Sequence, residues 1–290
     1  MTFKDISSLK DRVTIVIPAF NAASTIASTL KSVLELGFRY VVVVNDGSND
    51  LTSEIVGKFP VLLIDQKNSG VHKARIRGLM RVQTDFVIFL DADDSLLSPI
   101  WNLIEYLAKD ERLVGAAGGY YAFGLHRKKI VYLQDKRINQ KRLIDLKSGL
   151  FPISASVWRT AAVISGQELP FPLLLEKNAD DYELFIRTSK FGDIGVVDLV
   201  VSKYSMIGGK STKNTTEAYF CALRIALYYD LCFNLRSHSV TEYPSISKIR
   251  RRNLQLSYFN DPIPILALNI ARNFELLPQI IWNKIRRLFI

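Results

Sequence analysis

Along the first hundred positions, apolar residues fall into short unbroken runs separated by segments of helical spacing. Val13-Thr14-Ile15-Val16-Ile17 is one such run, closed by Pro18, and Tyr40 to Val44 is a second, β-branched and without alternation. A strand covered on both faces needs this pattern, because both sets of side chains must then be apolar. Val61 to Ile64 and Phe86 to Leu90 repeat it. Between these runs, Asn21 to Leu36 carries Ile26, Leu30, Val33 and Leu34 at helical spacing, and shorter helices are predicted over Thr52 to Lys58 and Val71 to Val82. The order βαβαβαβ predicts an α/β fold, a parallel sheet with helices on both faces. Ligands of such sheets sit beyond the carboxyl ends of the strands.

Past Gly115 the pattern loosens. Gly118-Gly119-Tyr120-Tyr121 and Ile130-Val131-Tyr132-Leu133 read as strands, Ala179 to Lys190 as a helix, and the chain from Thr215 as helical with interruptions at Pro244, Pro262, Pro264 and Pro278. The expected division is a catalytic unit over residues 1–212 and a helical, basic extension over 213–290. There is no internal repeat.

Charge adds one feature. The chain has 290 residues and a net charge of +10, of which residues 211–290 carry +6, from eleven Lys/Arg against five Asp/Glu. The excess therefore lies in the tail. The main region has no basic stripe with interleaved aromatics, which argues against a nucleic-acid partner. No apolar run reaches the roughly 18 residues that a spanning helix needs, and Met1 to Arg12 is a short polar lead, so the expected compartment is the cytoplasm. The two cysteines, Cys221 and Cys232, lie close together in a helical stretch and are expected to be reduced.

The candidate chemistry sits at the ends of the predicted strands. Asp91-Ala92-Asp93-Asp94 closes an apolar run, and carboxylates crowded there repel one another unless a cation binds or a proton is taken up. Magnesium or manganese takes one or two carboxylates and completes its shell with phosphate oxygens and water. A turn in which Asp94 or Ser95 caps the next helix fits the same residues. Asn45-Asp46-Gly47-Ser48-Asn49-Asp50 is also a strand-to-helix turn: Asp46 can accept a hydrogen bond from a nucleobase imide, and Ser48 or Asp50 suits a cap. His72, His126 and His238 lack metal-ligand spacing. No Gly-rich dinucleotide fingerprint or phosphate loop follows the first strand, which argues against a dehydrogenase or a P-loop enzyme.

Four segments in order, Ile17-Pro18-Ala19-Phe20-Asn21, Val44-Asn45-Asp46-Gly47-Ser48, Asn68-Ser69-Gly70-Val71-His72-Lys73-Ala74-Arg75 and Phe89-Leu90-Asp91-Ala92-Asp93-Asp94, resemble the motifs of the inverting family 2 glycosyltransferases with the GT-A fold. A fifth, Asp180-Asp181-Tyr182-Glu183-Leu184-Phe185-Ile186-Arg187, resembles the acidic pair that supplies that family's catalytic base. The match spans roughly residues 13–205. The resemblance implies transfer of a sugar from a nucleotide sugar, such as a UDP-sugar, to a hydroxyl of a glycan or lipid-linked acceptor, with a divalent cation, Mn2+ or Mg2+. It implies a setting in bacterial surface polysaccharide or lipopolysaccharide synthesis. Pro18 and Phe20 would lie against the nucleotide, Asp46 would bond the base, Arg75 would sit near the base or diphosphate, Asp91 and Ala92 would line the donor site, Asp93 would ligate the cation, and Asp181 would be the general base.

Some positions depart from the family pattern. Asn45 stands where the family often has a first aspartate, Ile76 where an asparagine commonly follows the Ala-Arg pair, and Asp180 where glutamate is usual. Tyr204 to Ser211 is Gly-rich where many relatives have a histidine-containing loop.

In the terminal segment Ile281 to Ile290, the residues Ile281, Trp282, Ile285, Leu288 and Phe289 share one helical face, with Lys284, Arg286 and Arg287 outside it. Such a helix suits a membrane surface, the inner face of the plasma membrane in this setting, as well as docking on the catalytic unit or pairing in a homodimer. The competing functional reading is a catalytically silent relative that binds sugar nucleotides and serves as a membrane-tethered assembly factor.

Overall fold

The computed structural model describes residues 9–124, 128–148, 151–174, 179–207 and 215–233. The expected basic amphipathic segment Ile281–Ile290, the Lys248–Arg252 cluster, His126, His238 and Gly208–Ser211 lie outside these residues.

The first half alternates strand and helix as the sequence pattern predicts. β1 (Val13–Ala19), β2 (Tyr40–Asn45), β3 (Leu62–Asp65) and β4 (Phe86–Phe89) are separated by α1 (Ile26–Glu35), α2 (Thr52–Val56) and α3 (Val71–Leu79). These four strands pair in parallel, β1 lying between β2 and β4 with β3 outside β2. The helices are shorter than expected. The segment before α1 is instead a turn, held by the N–H of Ile26 on the carbonyl of Ala22.

Both faces of β1, β2 and β4 are buried, which explains their unalternating runs; β3 departs from that expectation, because as the edge strand it leaves Leu62 exposed and Leu63 and Ile64 half-buried. On one face Val13, Ile15 and Ile17 of β1 and Phe86 and Ile88 of β4 pack with Ile26, Leu30 and Val33 of α1. They also meet Ile100, Leu103, Ile104 and Leu107 of α4 (Ile100–Lys109). The opposite face, with Val16, Val87 and Phe89, belongs to a second cluster. α3 lies close on this side. A Cβ on its Gly78 would come within 2.4 Å of Val16 Cγ1, so the missing side chain permits the contact.

The second half completes a mixed sheet. After a short β5 (Ser95–Leu96) and α4 come β6 (Leu113–Phe123), β7 (Lys128–Val131), β8 (Arg137–Ile138), α5 (Gln140–Ile144), β9 (Ser156–Arg159), α6 (Thr160–Gln167), α7 (Asp180–Thr188) and β10 (Asp193–Ser205). The order across the sheet is β3-β2-β1-β4-β9-β6-β10-β5, with β7 on β6 and β8 on β10. β9 runs antiparallel to both β4 and β6, whereas β6 and β10 pair in parallel. β9 thus joins two parallel halves and places the end of β10 beside β5, just after Asp94.

α8 (Thr215–Phe233) packs into the same core as α7. Ala222, Ile225, Ala226 and Tyr229 of α8 cluster with Tyr182, Phe185 and Trp158, so this core continues across the expected division at residue 212. Cys221 and Cys232 are both buried in α8, and no disulfide joins them. Among the described residues no helix is long and apolar enough to cross a membrane.

Candidate functional site

The carboxyl ends of β1, β2 and β4 lie side by side, since Ala19 pairs with Asn45 and Val16 with Phe89. Each end presents one of the predicted segments. Pro18 is buried inside β1 opposite Val44, one residue before the strand's end. Phe20, the next residue but one, is 44% exposed and is the aromatic face available there.

Asp46 follows β2 and is only 3% exposed. Its Oδ1 accepts hydrogen bonds from Gln66 Nε2 at 2.7 Å and the Ser69 N–H at 2.8 Å, and its Oδ2 accepts the Gly70 N–H at 2.9 Å. A carboxylate offers about four acceptor positions, so its own chain takes three and leaves room for one more donor. Asp46 thereby fixes the loop that leads into α3. Gly47 has φ of +74°, and a Cβ there would meet the Asn68 backbone nitrogen at 2.7 Å, so the turn requires glycine. The residue at the capping position of α2 is Leu51, with no side-chain cap, so neither Ser48 nor Asp50 fills the expected role; Asp50 instead ties the turn, its Oδ1 accepting the Thr52 N–H at 3.0 Å and its Oδ2 the Ala23 N–H at 3.0 Å.

Asp94 departs from the capping role considered for it. β5 follows it, with no helix until Ile100. Asp94 is 1% exposed; its Oδ2 accepts the Ser154 hydroxyl at 2.5 Å and its Oδ1 accepts the Ser205 N–H at 2.8 Å. It is a tertiary tie between the 3-10 turn Ile153–Ala155 and the end of β10. Burial, followed by the nearby charge of Asp91, holds its carboxyl well above the usual carboxylate range. Thr29 of α1 braces the same cluster by donating its hydroxyl to the carbonyls of Ala92 at 2.9 Å and Asp94 at 2.8 Å.

The centre of the site is Arg75. It lies on the buried side of α3 with 5% of its side chain exposed. Nη2 donates to Asp91 Oδ1 at 2.6 Å and Nη1 to Asp180 Oδ2 at 2.5 Å. This joins the end of β4 to the start of α7, where Asp180 and Asp181 sit in the first turn. Sequence reasoning expected Arg75 beside the donor's base or diphosphate; here both terminal nitrogens are on protein carboxylates. Breaking such a buried pair by removing one partner costs about 3–5 kcal/mol, a large cost for any contact that displaces one. Burial works against the Arg75 charge, but Asp91, Asp180 and Asp181 together raise its pKa.

The carboxylates here differ in proton affinity. Asp181 is pushed up to about 7 by burial, then by the charge of Asp180, with Arg75 pulling the other way. Its Oδ1 accepts its neighbour Tyr182's N–H at 2.8 Å. Asp93 is pushed up to about 6 by burial and then by Asp91. A carboxylate with a pKa near neutrality is a competent proton acceptor at physiological pH.

The residues fit a divalent cation in one way only. Among the described residues no group of three or more His, Cys, Asp or Glu side chains could hold a metal ion, and one Asp91 oxygen is occupied by Arg75. Asp93, crowded by Asp91, suits a cation that draws its other ligands from phosphate and water, as magnesium does. His72 is buried in α3 and pushed down to about 4, first by burial and then by Arg75, which favours the neutral ring.

Behind the site, α7 is anchored by its other polar residues. Arg187 Nε donates to the Gly166 carbonyl at 2.7 Å, Nη2 to that of Leu169 at 3.2 Å, and Nη1 to the Tyr229 hydroxyl at 2.5 Å. Tyr229 in turn donates to Glu183 Oε1 at 2.7 Å. Sequence reasoning gave no role to Glu183, Arg187, Ser154 or Ser205, nor any link between Asp180 and Arg75. For Arg75 a signal existed: Ala74, Arg75, Gly78 and Leu79 share the buried side of α3, an unusual place for an unpaired cation.

Residues 14–161, just over half of the chain, match the model of Glycosyl transferase family 2. The chain belongs to this family. Among curated proteins, glycosyltransferase GlyA of Streptococcus pneumoniae is 30% identical over 120 residues, 39% of this chain and 17% of that protein. Cholesterol galactosyltransferase of Borreliella burgdorferi is 26% identical over 166 residues, 53% of this chain and 46% of that protein. Poly-beta-1,6-N-acetyl-D-glucosamine synthase of Staphylococcus aureus is 30% identical over 114 residues, 37% of this chain and 28% of that protein. These matches span less than half the length of each relative. Among solved structures, TarS 1–349 of S. aureus superposes with a TM-score of 0.65 at 17% identity, covering 93% of this chain and 82% of that one. The same protein in complex with UDP-GlcNAc also gives 0.65. The likeness shows the fold, a GT-A arrangement of a mostly parallel sheet flanked by helices.

Proposed function

We propose that this glycosyltransferase moves a sugar, with inversion, from a UDP-sugar to a hydroxyl of a glycan or lipid-linked acceptor in polysaccharide synthesis. The observation that carries the reading is that Arg75 joins Asp91, at the end of the donor-side strand β4, to the Asp180–Asp181 pair of α7. That brings a carboxylate of near-neutral pKa to the place where a donor would bind. The UDP and UDP-GlcNAc complexes of TarS support the choice of donor class.

The residues divide the work as follows. Phe20 stacks on the base, and the free acceptor position of Asp46 receives its imide N–H. Asp91 and the Ala92 backbone line the ribose and diphosphate side. A sugar hydroxyl is a poor nucleophile, so Asp181 accepts its proton as the oxygen attacks the anomeric carbon. The anomeric C–O bond to the diphosphate breaks with its electron pair on the leaving phosphate, and a single displacement inverts the anomeric centre. Asp93 would hold a divalent cation, whose chemistry is to neutralise charge on the departing diphosphate. The basic terminal segment Ile281–Ile290 is proposed to keep the enzyme near a lipid-linked acceptor.

The test is UDP release from a panel of UDP-sugars, with and without manganese. Release from at least one donor supports the reading. Binding of UDP with no turnover of any donor points to a silent sugar-nucleotide-binding relative.

A further inference from the structure

We infer that the sheet face carrying Tyr121, Phe123, Ile130, Lys128 and Lys203 is a platform for the acceptor, and that it takes a saccharide bearing a negative charge. The inference rests on the proposed transfer chemistry and names the acceptor class that it serves.

The strand pairings put these five residues on one face. Along β6, Ala116 belongs to the core cluster that includes α4, and Ala117 to the cluster that holds Trp158 and Phe185 of α7. Gly115 shares the side of Ala117, since a Cβ there would meet the Trp158 ring at 2.6 Å. Side chains alternate along a strand, so Tyr121 and Phe123 continue the side on which α7 packs. On β7 they pair with Ile130 and Lys128, and on β10 with Lys203 and Ser205. Tyr121 and Phe123 are half-buried, whereas Ile130, Lys128 and Lys203 are exposed. The two aromatic rings are nearly parallel, at 18° with centroids 6.5 Å apart.

This face borders the acidic site. β9 is antiparallel to both β4 and β6, so those two strands end on the same edge of the sheet. At that edge the Phe123 carbonyl accepts the Met206 N–H at 2.7 Å, and the neighbouring Ser205 N–H is the one bound by Asp94. Lys203 also pairs with Ser95, two residues beyond Asp93. In the strand order, β6 and β10 lie on the opposite side of β4 from β1 and β2, which carry Phe20 and Asp46 at their ends. A ligand on this face therefore approaches the acidic site from the side away from the proposed nucleotide contacts.

The chemistry of the face selects the ligand. Aromatic ring faces are electron-rich and attract the C–H groups of a pyranose, and such rings commonly line small-molecule sites. Among the described residues neither Lys128 nor Lys203 is paired with a carboxylate, whereas Lys58, Lys109, Lys141 and Lys147 are. Two such cations beside an aromatic pair complement a sugar that carries a carboxylate or phosphate. They also offset the repulsion that Asp91, Asp93 and the Asp180–Asp181 pair would exert on an anionic acceptor.

The experiment measures binding to the full chain by calorimetry. Trigalacturonate is the anionic saccharide, its methyl ester the neutral counterpart, and UDP the control for the acidic site. The variants are K128E/K203E, which reverses charge at exposed positions, and Y121A, each checked for folding by circular dichroism; Y121L replaces Y121A if the latter does not fold. Wild type is expected to bind trigalacturonate at least about fivefold more tightly than the ester at low salt, the scale of two exposed ion pairs, and to lose that preference at high salt. K128E/K203E should abolish the preference. Y121A should weaken both saccharides by about threefold or more, with UDP affinity unchanged in every variant. Equal binding of the two saccharides by wild type, binding of neither, or a preference kept in K128E/K203E would overturn the proposal. So would pelleting with phosphatidylglycerol vesicles that K128E/K203E abolishes while trigalacturonate stays unbound, the mark of a membrane surface. No readout needs turnover. A wild type that releases UDP from no donor sinks the transfer chemistry, whereas one that turns over a donor but ignores the charge of the saccharide sinks only the acceptor assignment.

Discussion

Asp94 accepts the backbone N–H of Ser205 at 2.8 Å across 111 residues of chain, tying the acidic cluster to the far end of β10. Replacing Asp94 by alanine leaves that N–H and the Ser154 hydroxyl without their acceptor in a buried place. Each buried group left unsatisfied costs about 1–3 kcal/mol. Asp94→Ala should therefore lower stability by roughly 2–5 kcal/mol, and Asp94→Asn, which keeps one carbonyl acceptor, by less. Urea unfolding of both variants checks the ranking, and equal loss would remove the role given to the carboxylate.

Asn45, where the family often has aspartate, donates its Nδ2 to Asp65 Oδ1 at 2.7 Å. Aspartate at 45 would lose the donor and set two carboxylates together. Asn45→Asp should destabilise by about 1–3 kcal/mol, and Asp65→Asn added to it should recover most of the loss. A thermal-melt double-mutant cycle measures the coupling.

The helical segment after residue 212 should be needed for the catalytic core. Tyr229→Phe removes the hydroxyl shared by Arg187 and Glu183, at a cost of about 1–3 kcal/mol, which is about 2–4 °C in Tm per kcal/mol in a domain of this size. A chain ending before Thr215 exposes the apolar face of α7 and should fail to give a cooperative melt. A cooperative melt at the wild-type temperature would show that the core ends earlier.

Proton linkage gives stability a definite slope. Asp181 and Asp93 are raised from 3.8 to about 7 and about 6, so the folded state holds their protons more tightly than the unfolded chain. The associated stability is complete below the unfolded value and is lost as pH rises through about 6 and then about 7. Chelator-treated protein should melt at a higher temperature at pH 5 than at pH 8. Asp181→Asn should narrow the difference by stabilising the pH 8 sample, while removing activity. A Tm that climbs steadily from pH 5 to pH 8 would contradict the assigned burial of these groups.

Much of the donor half was legible because its information is local. β1, β2 and β4 are buried on both faces and so read as unbroken apolar runs, and Asp46 and Asp91 follow directly from where those runs stop. The later half was less legible for physical reasons. β6 contains Gly115, Gly118 and Gly119, and β10 pairs with it through register shifts near Val197 and Val200, so neither shows a clean period. β9 is short and its antiparallel placement is set by its partners. Asp94 read as a turn residue because its acceptor role is fixed by Ser154 and Ser205, which sequence proximity cannot reveal. Arg75 stood out in the sequence as a candidate, but its partners Asp91 and Asp180, 16 and 105 positions away, come together only in the folded sheet.

The most direct measurement of the central claim is UDP release from a turned-over UDP-sugar by wild type and Asp181→Asn, beside calorimetric UDP binding by both. Similar UDP affinity is expected for both proteins, with a fall in turnover of at least about 100-fold in Asp181→Asn, the scale of general-base catalysis. Equal release by the two proteins would contradict the claim.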